Sequence, residues 1–125
     1  MIKAGVKKKL DEVWRKQKHR TEFWDKSGAP LTLSQWCELF EDSRYCQIVF
    51  NIVEEGVTVS TVWIGMNPHR RNPPLIFETM ITGPGLRGRN FWSWATEEEA
   101  RAGHQRILDG LKQQIGQPVS EESHQ

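Results

Sequence analysis

The chain has 125 residues, enough for one domain with a true core and too few for a second beside it. Its 17 basic and 16 acidic residues nearly cancel, so no strong overall field would steer nucleic acid or an acidic membrane towards it. No apolar run approaches the roughly 20 residues of a membrane span and no hydrophobic leader opens the chain, so no membrane partner is expected and the protein is read as one kept inside a cell.

Charge is unevenly spread: residues 1–26 balance at +5, which leaves −4 for the rest. Within that segment Val6, Leu10, Val13 and Trp14 recur at helical spacing, with Lys7, Lys8, Lys9, Arg15, Lys16 and Lys18 mostly elsewhere on the wheel. This predicts a basic amphipathic helix over residues 1–20. Trp24 to Pro30 is rich in turn residues and reads as a loop. Thr32 with Gln35 makes a capping box, and Leu31 with Trp36 a hydrophobic staple, so a short helix is expected over 33–41 with Trp36, Leu39 and Phe40 inward.

From Tyr45 to Val53 the polarity alternates and predicts a strand whose buried face is Cys46, Ile48, Phe50 and Ile52. Glu54-Glu55-Gly56 connects it to a second strand, Val57 to Ile64, the richest in β-branched residues. The prolines of Asn67 to Pro74 exclude that stretch from a sheet. A third strand is expected from Leu75 to Thr82, then a Gly/Pro/Arg loop that contains Arg87 and Arg89. Thr96 with Glu99 marks the start of a last helix, along which Ala100, His104, Ile107, Leu108, Leu111 and Ile115 form an apolar stripe. The predicted fold is α+β: a three-stranded antiparallel meander flanked by helices, in the order α-α-β-β-β-α. Residues 1–116 form one domain, with the basic helix at 1–20 and the core at 21–116, and 117–125 is a flexible tail.

No Walker loop, dinucleotide fingerprint or nucleophile elbow is present, and Cys37 and Cys46 are too few for a zinc knuckle or a disulfide framework. Neither a metal nor a cofactor is expected. The best catalytic candidates are isolated: His69, Glu78 and His104, with Arg70, Arg87 or Arg89 as anion clamps. Alternation places Glu78 beside Ile76 and Met80, where a carboxylate needs a partner, and His104 on the helix that crosses the sheet supplies one. That pair is expected to be buried and is read as an internal brace, because no nucleophile accompanies it.

Two surfaces are candidates for binding. The basic segment, through Lys7, Lys8, Lys9, Arg15 and Lys16, has the charge a nucleic-acid surface uses. Phe91-Trp92-Ser93-Trp94, with Arg87, Arg89, Arg70 and Arg71, has the aromatic and guanidinium chemistry of a protein-binding hot spot. Trp94 is expected inward and Trp92 exposed. In a meander the two arginine loops lie at opposite ends of the sheet, so they do not merge into one basic stripe.

Over about 23–108 the chain also resembles a family of small uncharacterised proteins encoded by bacteriophages and by bacteria, actinobacteria especially, that carry phage-like genes. The resemblance rests on Phe23-Trp24-Asp25-Lys26-Ser27-Gly28-Ala29-Pro30-Leu31, Trp36-Cys37-Glu38-Leu39-Phe40-Glu41-Asp42 and Ser60-Thr61-Val62-Trp63-Ile64-Gly65. It continues in Pro73-Pro74-Leu75-Ile76-Phe77-Glu78-Thr79-Met80 and Thr96-Glu97-Glu98-Glu99-Ala100-Arg101-Ala102-Gly103-His104. This chain departs from it at Met66-Asn67-Pro68-His69, where family members often have Leu-Asp-His, and at Trp94-Ala95, where they tend to have Arg-Tyr. What the resemblance implies is a phage or prophage origin and the cytoplasm of a bacterial host, with no reaction attached. The function expected is that of a non-catalytic accessory protein that binds a host or phage macromolecule, host-defence components included. A nucleic-acid-binding module is the alternative, and a small-ligand site or enzyme around Glu78 and His104 the second.

Overall fold

The computed structural model of the protein describes Lys8 and residues 21–86 and 90–116. The expectations for the rest of the 1–20 helix, for Arg87 and Arg89, and for the 117–125 tail lie outside the described residues.

Phe23 is the first half of a feature expected to be a loop. Asp25 Oδ1 accepts from the backbone of Ser27 and Ala29 and from the Ser27 hydroxyl, at 2.7–2.9 Å, and so closes a tight turn. The turn pairs strand β1 (Phe23–Trp24) with β2 (Pro30–Leu31). Thr32 then caps helix α1 (Leu33–Phe40) with both arms of the capping box formed. Asp42 caps a second, single-turn helix, α2 (Ser43–Cys46), by accepting from the Arg44 and Tyr45 amides. The sequence reading had already begun a strand there.

Four strands follow in a continuous antiparallel meander: β3 (Gln47–Ile52), β4 (Thr58–Trp63), β5 (Phe77–Thr82) and β6 (Phe91–Trp94). The sheet thus has four strands where three were expected. The fourth, Phe-Trp-Ser-Trp, is four residues long and shows too little alternation to be read as a strand, yet it pairs along β5 from Phe77↔Trp94 to Met80↔Phe91. Helix α3 (Glu97–Gly116) then crosses one face of the sheet. Its start is held by Thr96 Oγ1, which accepts from the Glu99 amide, while the Glu99 carboxylate accepts from the Ala95 amide one residue ahead of the usual donor.

The covered face carries Val59, Trp63, Phe77 and Ile81 from the strands and Ala100 and Leu108 from α3. A ring such as Trp63 or Phe77 buries 150–250 Å², roughly 4–6 kcal/mol of transfer free energy, so these two dominate the core. Two of the six tryptophans close bonds to the backbone here. Trp36 Nε1 donates to the Ile64 carbonyl at 2.8 Å and Trp63 Nε1 to the Trp24 carbonyl at 2.9 Å, which ties the β1–β2 hairpin and α1 onto the end of the sheet. Gly65, at φ 70, lies where a Cβ would come within 2.4 Å of the Trp63 ring, so no other residue fits that crossing.

A one-residue slip in β3 reverses the predicted faces of that strand. Between Gln47 and Val49 the register against β4 shifts, which leaves Ile48 as an extra residue. Cys46 and Ile48 point to the core as alternation predicts, but beyond the bulge it is Asn51 and Val53 that turn inward. Phe50 and Ile52 therefore emerge on the opposite face.

Candidate functional site

The two faces of the sheet carry different chemistry. On the covered face His104 is 1% exposed, and its imidazole is fully engaged: Nδ1 lies 2.7 Å from Thr61 Oγ1 and Nε2 lies 2.7 Å from Asn51 Oδ1. Thr61 Oγ1 is 2.5 Å from Thr79 Oγ1, which accepts from Trp94 Nε1 at 2.9 Å. An indole N–H can only donate and an amide oxygen can only accept, and with the imidazole neutral one set of protons satisfies every member between them. The chain runs from Trp94 N–H to Thr79, from Thr79 O–H to Thr61 and from Thr61 O–H to His104 Nδ1, and the Nε2–H then donates to Asn51. This relay joins all four strands to α3 and accommodates a neutral imidazole, the form that burial favours by pushing the His104 pKa down.

Glu78 is not part of it. Thr79 faces the relay, so its neighbour Glu78 points to the other side of the sheet, paired with Val62 and Ser93. The expected Glu78–His104 pair is therefore corrected by strand alternation itself: the two residues lie on opposite faces. Burial holds the Glu78 carboxyl above its ordinary range, and His69 partly offsets this. The folded state thus retains a proton that the unfolded chain releases, and Glu78 weakens folding as pH rises from about 4.5 through the raised value. Glu78→Gln is expected to raise Tm at pH 7 by on the order of 1–3 °C and to leave it unchanged at pH 4, which thermal melts at the two pH values check.

The open face has no described element packed along it. Strand registers align one row across all four strands, Phe50↔Ser60↔Met80↔Phe91, with Ile52 beside it on the outer strand. Phe50, Ile52 and Met80 are 46%, 74% and 44% exposed. The row spans about 14 Å at the usual strand spacing. At its far end the loop after β4 leans in, with the His69 ring 6.3 Å from that of Phe91.

Trp94 turns inward as expected, but Trp92 is not the exposed binding residue expected of it. Both side chains share the covered face with Thr79 and Phe77, their cross-strand partners. Trp92 packs against the Val59–Ile81–Leu108 cluster, and Trp94 lies against Gly103 with the Arg106 guanidinium 5.8 Å from its ring. Arg70 and Arg71 are exposed, and they line a groove of about 550 Å³ together with Trp24 and Asn67. Sequence reasoning missed Phe50 and Ile52 because it assigned them to the core. The bulge that exposes them has no mark in the sequence. Among the described residues no cluster of His, Cys, Asp and Glu could hold a metal, and no helix is long and apolar enough to cross a membrane.

No protein-family model, curated protein or solved structure matches this chain.

Proposed function

We propose that the chain is a non-catalytic, phage-type accessory protein that docks a partner protein, from the host cell or the phage, on the open face of its sheet. One observation carries this reading: a four-stranded sheet packed under α3 on one side exposes Phe50, Ile52 and Met80 on the other. Apolar side chains grouped on a rigid surface mark interaction sites, and Met adapts to varied partners. Glu78 and His104, the pair weighed for acid–base work, lie on opposite faces of the sheet, so they do not act together.

A photo-crosslinking residue at Ile52, set beside one at the exposed Gln105 of α3, tests it in a bacterial host. The same partner protein is expected from position 52 and not from 105. Phe50→Asp with Ile52→Asp should then weaken the purified complex at least tenfold at unchanged Tm, since central aromatic and aliphatic anchors dominate such interfaces. Crosslinks confined to residues 1–20 of the same molecule, or equal capture from both positions, would refute it.

Nucleic-acid binding is favoured by a separate fact: residues 1–20 balance at +6 against −5 for the remainder. A salt-dependent shift of DNA or RNA that is lost when Lys7, Lys8 and Lys9 become Ala is the result that reading expects. The carboxylate of Glu78 in the middle of the open sheet face opposes phosphate there.

A further inference from the structure

We propose that the groove between Thr21–Trp24 and the Asn67–Pro74 loop binds a nucleotide, a ligand with phosphate at one end and a flat heteroaromatic ring at the other. This goes beyond the docking face and is independent of it. The groove holds about 550 Å³, within the range that takes a ligand of this size.

Arg70 and Arg71 both line the groove. Arg70 has φ 52, the left-handed region that a residue with a Cβ occupies at a steric cost, so the chain turns sharply between the two arginines and Asn67. Asn67 holds the turn. Its Oδ1 accepts from the Arg71 and Leu75 amides at 3.2 and 3.1 Å, and its Nδ2 donates to the Arg71 carbonyl at 2.7 Å. Neither guanidinium forms an ion pair among the described residues. A strained backbone thus sets at the groove two adjacent arginines that form no ion pair among the described residues, and phosphate oxygens complete such a pair of planar donors.

Trp24 and Pro74 also line the groove. The Trp24 carbonyl accepts from Trp63 Nε1 at 2.9 Å and its half-buried side chain packs on the core beside Trp63, which anchors the residue at the groove's edge. An indole face beside a proline ring is a stacking surface for a base. A free nucleotide and one unit of a single strand share this chemistry.

Titration of the full, ¹⁵N-labelled chain with ADP, adenosine, pyrophosphate and a short single-stranded oligonucleotide tests the site. ADP is expected to move the Trp24 indole N–H, assigned through Trp24→Phe, together with amides of residues 67–72, with adenosine and pyrophosphate each at least tenfold weaker. Arg70→Gly combined with Arg71→Ala removes both charges while glycine relieves the left-handed backbone. ADP binding should fall at least tenfold with Tm not lowered. A strand that binds tenfold tighter than ADP through the same resonances assigns the strand as the natural source, and equal affinities assign the free nucleotide. No movement at residues 67–72 with ADP or the strand, pyrophosphate as tight as ADP, or unimpaired binding by the double variant each overturns the proposal.

Discussion

His104→Leu is expected to cost about 3 kcal/mol of folding stability, seen as a fall in Tm on the order of 10–20 °C. The leucine matches the imidazole in bulk, so the loss comes from what it leaves behind. Asn51 Oδ1 loses the Nε2–H and the Thr61 hydroxyl loses its acceptor, both against the buried face of the sheet. A buried polar group stripped of its partner costs about 1–3 kcal/mol, and two are stripped here. For a domain of this size each kcal/mol moves Tm by roughly 4–8 °C. Thr61→Val should behave similarly, since it interrupts the relay one link earlier.

The same residue sets a pH dependence. Burial holds the folded-state pKa of His104 below its ordinary 6.5, and its two partners are uncharged, so nothing in the relay compensates a proton on the ring. Between the depressed value and 6.5 the unfolded chain binds a proton that the folded chain refuses. The stability is complete above pH 6.5 and falls as pH drops through that window, at up to about 1.4 kcal/mol per pH unit. Wild-type Tm is therefore expected to decline from pH 7.5 to 5.5, and His104→Leu to lose most of that slope. Parallel declines in both proteins would show that the imidazole is not the group responsible.

What could be read from the residues was whatever local chemistry decides. Thr32 with Gln35 announced α1 and Thr96 with Glu99 announced α3, because a cap is a short-range contract between side chain and backbone. The β-branched run of β4 was equally plain. The misreadings arise where a single residue's placement propagates. One extra residue at Ile48 inverted the faces of β3 and turned two supposed core side chains, Phe50 and Ile52, into the candidate docking patch. Strand β6 was hidden by its brevity, and without it Trp92 seemed free to reach solvent. For His104 the buried, partnered state was foreseen but the partner was not: the apolar setting expected for Glu78 favoured its carboxylate as the mate, whereas the sheet offered one hydroxyl and one amide from strands whose register no local pattern specifies.

Two glycines on α3 provide the second large effect, because the same substitution should act with opposite signs. Alanine is better than glycine inside a helix by about 1 kcal/mol, and at Gly110 a Cβ would meet nothing within 4 Å. Gly110→Ala is accordingly expected to stabilise by about 0.5–1 kcal/mol. At Gly103 a Cβ would lie 2.2 and 2.3 Å from two atoms of the Trp94 ring. The ring cannot simply swing aside, since its Nε1 is bound to Thr79 and its strand is paired to β5. Either α3 lifts from the sheet or Trp94 leaves the relay, and overpacking of this kind costs about 1–3 kcal/mol beyond the propensity it gains. Gly103→Ala should therefore lower stability by about 2 kcal/mol net, read by chemical denaturation, with a displaced Trp94 indole N–H resonance. Because the damage reaches Thr79, it should add to Thr79→Val by less than the sum of the two single losses. A Gly103→Ala protein as stable as Gly110→Ala would mean that Trp94 does not pack on α3, and the covered face of the sheet would need redrawing.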